Sequence, residues 1–335
     1  MRIKALAAAF AAAVPVAVVA KEYVDYYRPF GVPGDREVRS YLESRLASIG
    51  LPGLAGAIDE VWIESDGLRL HLDIFPAGET DPALVFVPGT SVYALLYAEF
   101  MHRMSLLGFN VIGLDPRGHG RSEGRRGSYT MGELVRDARA ATDFAFERFG
   151  RSVAICGSSQ GGIAAFYSAA SDERLSAAVC HNVAVLDEPE ILSVTRFPLV
   201  SSLALRLLPL VRFVPELRVP VTAYLDLKAE PTPFGQNALE FLKEDPLAVL
   251  SVAVKALASL VTAPPPRPVE EIRVPVMVVQ AEFDNIFGVE YSMRLYDRLT
   301  CDKEFMLVGG APHLVMTNEV GKIVAEIAAW LNERM

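Results

Sequence analysis

From about residue 57 the chain alternates two kinds of segment. Short apolar runs without internal alternation occur at Ala83–Val87, Phe109–Leu114, Val153–Cys156, Ala177–Cys180, Val274–Val279 and Phe305–Val308. A strand with one wet face would alternate apolar and polar residues, so unbroken runs predict strands covered on both faces. Between them, stretches near 93–107, 130–149, 161–171, 289–299 and 318–334 have helical character. Strand and helix in turn define an α/β fold, a mostly parallel sheet with crossover helices on both faces. Ahead of this series, Val61–Ser65 and Arg69–Phe75 predict a hairpin turned at Asp66-Gly67, a dipeptide that accepts the positive φ angles of a tight turn. Further upstream, Val38, Tyr41, Leu42, Leu46 and Ile49 share one face of a helix over 35–49, with Asp35 to start it and Gly50 to end it.

The alternation fails twice. Residues 187–272 separate two core strands and hold twelve of the 22 prolines. Segments 191–213 and 236–261 read as helical between those prolines, and Phe197–Leu227 is strongly apolar. This predicts a unit inserted into the sheet domain, so that residues 57–186 and 270–335 form the core and 187–269 the insertion. At the start of the chain, Arg2 and Lys4 precede sixteen residues, Ala5–Ala20, with no charged or polar side chain. As a helix that run is about 24 Å long, short for a membrane span. The basic start and the Val18-Val19-Ala20 end fit a secretory signal peptide. Tyr23, Tyr26, Tyr27 and Arg28, which follow, suit an interfacial anchor. Residues 1–20 are therefore expected to direct the protein to the cell envelope, cleaved or anchored, and 21–56 to form an extension carrying the amphipathic helix. The alternative is an alanine-rich helix packed on a cytoplasmic protein.

Composition narrows the picture. The chain has 335 residues, 51% of them hydrophobic, which excludes disorder. A net charge of −9 argues against nucleic-acid binding. Three cysteines, Cys156, Cys180 and Cys301, supply neither a disulfide framework nor a four-cysteine zinc site. No metal-ligand spacing and no dinucleotide-binding glycine fingerprint is found, so no cofactor is expected.

The candidate chemistry sits where strand passes into helix. Gly157-Ser158-Ser159-Gln160-Gly161 is G-x-S-x-G centred on Ser159. A nucleophile at the tip of a sharp strand-to-helix turn needs neighbours without side chains, and Ser159 alone has glycine on both sides at the required spacing. The backbone N–H of Gln160 then opens a helix, where a developing oxyanion is stabilised. Serine needs a base and an orienting acid. His313 follows Gly309-Gly310-Ala311-Pro312 between the last strand and the last helix, at the strand end where parallel sheets place their sites. It is the expected base. His71 reads as a surface or packing residue, His102 lies on a helix ahead of the turn, and His119 belongs to a separate glycine turn. His181, ending the strand after the helix that follows Ser159, reads as structural, with a place bordering the pocket as the alternative. For the acid, Asp284 follows the strand at 274–279, with Asp187 and Asp302 as alternatives.

The order Ser159, Asp284, His313, with the turn and the sheet, resembles the α/β-hydrolase superfamily over about residues 57–186 and 270–335. Leu114-Asp115-Pro116-Arg117-Gly118-His119-Gly120-Arg121-Ser122 is similar to that family's structural D-x-R-G-x-G-x-S turn, which takes His119 out of the chemistry. Phe86-Val87-Pro88-Gly89-Thr90 falls at the first oxyanion loop. Pro88 replaces the usual histidine there, but the N–H of Thr90 remains available. The resemblance makes the insertion a cap, with Phe197, Leu203, Leu207, Leu208 and Phe213 as candidate lining of a lipophilic pocket. It is nearest the monoacylglycerol-lipase and lysophospholipase-like branch, which implies a serine esterase acting on a small-molecule ester with a lipophilic acyl or alcohol group. A thioesterase, a C–C hydrolase or a cofactor-free haloperoxidase or perhydrolase could use the same triad. A catalytically silent binding protein on this fold is the reading from another class.

Overall fold

The computed structural model describes residues 35–150, 152–194 and 208–335. Helix α1 (Asp35–Ser48) carries Val38, Leu42 and Leu46, each buried, on one face. It ends where Gly50 adopts φ 79°, letting Leu51 N–H reach back to the Leu46 carbonyl, a left-handed stop that glycine accepts without cost. Strands β1 (Asp59–Ser65) and β2 (Leu68–Phe75) form the expected hairpin. Asp66 and Gly67 both have positive φ, as a two-residue turn between twisted strands requires.

The chain then runs through β3 (Ala83–Val87), α2 (Ala98–Leu106), β4 (Asn110–Leu114), α3 (Met131–Phe149), β5 (Val153–Ser158), α4 (Gln160–Ser171) and β6 (Ala177–His181). Helix α3 starts on Thr130, whose hydroxyl accepts from Glu133 N–H and donates to the Glu133 carboxylate; such a cap contributes about 1 kcal/mol. After the insertion come β9 (Val276–Ala281), α8 (Val289–Arg298), β10 (Lys303–Val308), the single turn α9 (Val315–Asn318) and α10 (Val320–Asn332); the insertion supplies β7, β8 and α5–α7.

The eight-stranded sheet has the order β1-β2-β4-β3-β5-β6-β9-β10. β1, β2 and β4 pair antiparallel in sequence, and every pairing from β4 onward is parallel. Its two faces feed two separate cores. Leu84 and Phe86 of β3 pack on one side with α1, α2 and α10 residues such as Leu42, Phe100 and Ile327. Ala83, Val85 and Val87 pack on the other with Ala138, Phe166 and Leu295. That division is why the strand runs show no polar alternation.

The insertion departs from the helical expectation. It contains β7 (Arg218–Pro220) paired antiparallel with β8 (Ser251–Ala253), and the short helices α5 (Leu208–Val211), α6 (Ala238–Glu244) and α7 (Val254–Ser259). The segment expected as one helix over 236–261 is broken at Asp245-Pro246. There Asp245 Oδ1 accepts from Leu247 and Ala248 N–H at 2.8 and 3.2 Å, a side-chain turn that competes with helix. Tyr41 of α1 and Tyr93 both donate to Asp245 Oδ2, at 2.6 and 2.9 Å, tying extension, core and insertion together. Among the described residues no helix is long and apolar enough to cross a membrane; the run Ala5–Ala20 lies outside them.

Candidate active site

Ser159 sits between β5 and α4 with φ 55° and ψ −119°, a conformation non-glycine residues rarely hold. Its neighbours permit this. A Cβ on Gly157 would overlap the Gly161 carbonyl, and one on Gly161 would overlap the carbonyls of Val87 and Pro88. Ser159 N–H is pinned to the His181 carbonyl at 2.9 Å, and its own carbonyl accepts from Ile163. Main-chain bonds on both sides fix the strained residue, and its hydroxyl stands at the C-terminal edge of the sheet.

His313 Nε2 lies 3.0 Å from Ser159 Oγ, and His313 Nδ1 lies 2.9 Å from Asp284 Oδ2. Asp284 is saturated. Its Oδ1 accepts from Ile286 and Phe287 N–H, both at 2.8 Å, and Oδ2 also accepts from Asn182 Nδ2 at 3.0 Å. Burial alone would raise this carboxyl, but the facing His313, His181 and the Phe287 N–H outweigh it and hold the group well below the usual carboxylate range. With Asp284 ionised, the His313 proton belongs on Nδ1 and Nε2 is left to accept from the Ser159 hydroxyl. Burial works against the His313 imidazolium; the charge and hydrogen bond of Asp284 and the charge of Glu230 override it and raise its pKa. The other acid candidates are elsewhere: Asp187 is exposed, and Asp302 pairs with Arg334 at 2.7 Å.

The two candidate oxyanion donors frame the serine. Gln160 opens α4, and its side-chain oxygen accepts from Thr90 Oγ1 at 2.5 Å and from Tyr129 Oη at 3.0 Å. The loop carrying Pro88 is held by Tyr97, whose hydroxyl accepts from Gly89 N–H at 3.2 Å. The turn 115–122 is bound as its residue types imply. Asp115 accepts from Ala94 and Arg121 N–H, and Arg117 forks onto the buried Asp137. His119 is buried there with Nδ1 3.0 Å from the Arg117 carbonyl, its ring against Tyr129.

Sequence reading missed three neighbours, Asn182, Glu230 and Tyr97, and admitted a fourth, His181, only as a residue that could border the pocket. Asn182, with φ 68°, orients Asp284. His181, at the end of β6, is fully buried with its ring centroid 5.4 Å from that of His313. Glu230, from the insertion, is 3% exposed and faces His313 and Asp284, with the Asn285 side chain and Leu314 N–H directed at it. Tyr97 supports the Gly89 loop. Only Asn and Glu in an otherwise apolar or Pro-rich context offered a signal. Of the expected pocket residues, Phe197, Leu203 and Leu207 lie outside the described residues, and Leu208 opens α5. Phe213 is 68% exposed with the Arg212 guanidinium over its ring. It therefore does not line an enclosed pocket: the turn after α5 turns its ring outward to solvent and to a neighbouring cation.

Sheet order, strained serine turn and loop-borne histidine and aspartate define an α/β hydrolase. The chain matches the model of the family described as serine aminopeptidase, S33 (Hydrolase_4), over residues 78–320, and belongs to that family. A protein of Mycobacterium phage D29, provisionally named a non-heme haloperoxidase, is 32% identical over 131 residues; the match spans 38% of this chain and 45% of that relative, less than half its length. Among solved structures, Paleococcus ferrophilus monoacylglycerol lipase aligns with TM-score 0.64 and 24% identity over 79% of this chain and 99% of that one. A soluble variant of Saccharomyces cerevisiae monoglyceride lipase aligns with TM-score 0.68 and 17% identity, covering 83% and 96%. A thermophilic esterase of Thermogutta terrifontis aligns with TM-score 0.59 and 19% identity, covering 82% and 98%. At these identities the structural likeness shows the fold.

Proposed function

We propose that the protein is a serine hydrolase that cleaves a carboxylic ester bearing a lipophilic acyl or alcohol group. The observation that carries this is the continuous contact chain from Ser159 Oγ through His313 to Asp284, at 3.0 and 2.9 Å. Ser159 attacks the ester carbonyl as His313 Nε2 takes its proton, and Asp284 holds the tautomer and offsets the imidazolium charge. The N–H groups of Thr90 and Gln160 receive the oxyanion, each lost donor costing about 3–4 kcal/mol of barrier. His313 returns the proton to the leaving alcohol, then draws one from water to release the acid from Ser159. The apolar stretch Phe197–Leu227 of the insertion, as a cap, supports the lipophilic substrate class.

The test is labelling by a fluorophosphonate probe together with a panel of p-nitrophenyl esters from acetyl to palmitoyl. Labelling lost in Ser159→Ala and a preference for longer chains are expected. A folded wild-type protein that neither labels nor turns over any ester sinks the proposal. The phage relative favours one second reading, a cofactor-free haloperoxidase or perhydrolase on the same residues; peracid formation from acetate and hydrogen peroxide, exceeding ester hydrolysis, would select it. Residues 1–20 are proposed to place the enzyme in the cell envelope. Intact mass from the native source should show their removal, or their retention in the membrane fraction. A soluble full-length protein refutes both.

A further inference from the structure

His181 stands beside the Ser159, His313 and Asp284 chain and has no part in the chemistry just described. It is fully buried; Nδ1 lies 3.1 Å from Ser158 Oγ, and Nε2 has no hydrogen-bond partner among the described residues. One ligand atom each of His181, Asp284 and His313 lie within 4.8 Å of one another. A buried polar atom left unpaired is destabilising, so Nε2 is a position that calls for a partner. In the tautomer whose Nδ1–H donates to Ser158 Oγ, the lone pair of the neutral ring sits on Nε2. Glu230, buried and with Oε2 likewise unpartnered among the described residues, faces Asp284 and His313 and adds a second carboxylate to the corner.

We propose that this corner binds a transition-metal dication of the zinc class through His181 Nε2, Asp284 Oδ2 and His313 Nδ1, and that occupation switches the hydrolase off. Two imidazoles and one carboxylate are a donor set for zinc, nickel or copper, whereas magnesium and calcium prefer oxygen alone. The ion takes the place of the proton between His313 and Asp284. That proton moves to His313 Nε2, so none is released and no electron is transferred. His313 then presents an N–H to Ser159 Oγ where it had presented a lone pair, and the general base is lost. The inhibition rests on the function proposed above; the binding does not.

Two arms separate them. Zinc affinity of chelator-treated Ser159→Ala protein is measured by competition with a chromophoric chelator, alone and combined with His181→Asn, whose amide can keep the bond to Ser158. A single site weakened by more than the roughly 100-fold that loss of an outer hydrogen-bond partner costs is expected for His181→Asn, which removes a direct ligand. In the activity arm, wild type and His181→Asn are titrated with zinc against their own metal-free rates, and His181→Asn should need correspondingly more zinc; magnesium should inhibit neither. Absence of a stoichiometric site, or one indifferent to His181→Asn, overturns the proposal and leaves only a bridging water at Nε2. If wild type hydrolyses no ester, the binding arm still decides. If His181→Asn does not melt cooperatively, copper(II) EPR of Ser159→Ala decides: coupling to two nitrogens supports the site, and coupling to one or none overturns it.

Discussion

His119 turns burial into acid sensitivity. Burial, with the charge of Arg126, pushes its pKa down to about 4 against the pull of the Arg117 carbonyl. An unfolded chain binds that proton near the ordinary 6.5. Because the folded value is the lower one, the site contributes its full stability above about pH 6.5 and loses it as pH falls toward 4. At about pH 5 the unfolded imidazole is roughly 97% protonated and the folded one about 9%. The stability lost between about pH 7 and pH 5 is therefore about 2 kcal/mol for this one residue. His119→Asn keeps a donor for the Arg117 carbonyl and removes the titration. Urea unfolding of both proteins at the two pH values should show the wild type losing about 2 kcal/mol more than the variant, whatever the variant's constant deficit. Equal losses would show that the His119 proton is taken up alike by both states, and the burial argument would fail.

Three further outcomes are expected. Glu230→Gln removes a charge that favours the His313 imidazolium, so the acid limb of kcat/KM should move to lower pH; an unchanged or higher limb contradicts the role. Tyr97→Phe strands the Gly89 N–H and should lower kcat about tenfold with little change in KM, a fraction of the cost of an entire oxyanion donor; steady-state kinetics on a chromogenic ester read this, and an unchanged kcat would place the loop's support elsewhere. Gly161→Ala drives a Cβ into the carbonyls of Val87 and Pro88, backbone that cannot swing aside, and should cost about 3 kcal/mol or more in chemical denaturation.

The sheet was legible in the chain because strands covered on both faces write their burial into consecutive residues. Five of the six apolar runs are the covered strands β3, β4, β5, β6 and β9; the sixth is the edge strand β10, where Leu307 is exposed although the run is apolar throughout, and Asp66-Gly67 turns the hairpin. Ser159, Asp284 and His313 were legible because each sits in a local context, glycine-flanked or just past a strand. Residues whose position depends on distant chain were not. His181 meets His313, and Asn182 meets Asp284, 102 residues away, only because β6 pairs with β9. Glu230 reaches the same corner from a Pro-rich segment with no periodicity to read. The β7–β8 ribbon was hidden too: three-residue strands leave too short a pattern to distinguish from a helix end, and the Asp245-Pro246 break outweighed the apolar spacing around it.

β6 and β9 are hydrogen-bonded neighbours, from Ala178 against Val276 to His181 against Val279. Because the two strands run parallel, the connection leaves the C-terminal end of β6 and re-enters at the N-terminal end of β9, on the opposite edge of the sheet, and the strand ladder between them closes without the insertion. For engineering, a replacement for the segment between β6 and β9 must therefore also make the crossing from one sheet edge to the other. A different segment spliced across the same two strand ends would inherit the serine, histidine and aspartate in register. It would lose Glu230, the carboxylate this insertion contributes to them, so that specificity and the proton affinity of the base would change in a single exchange.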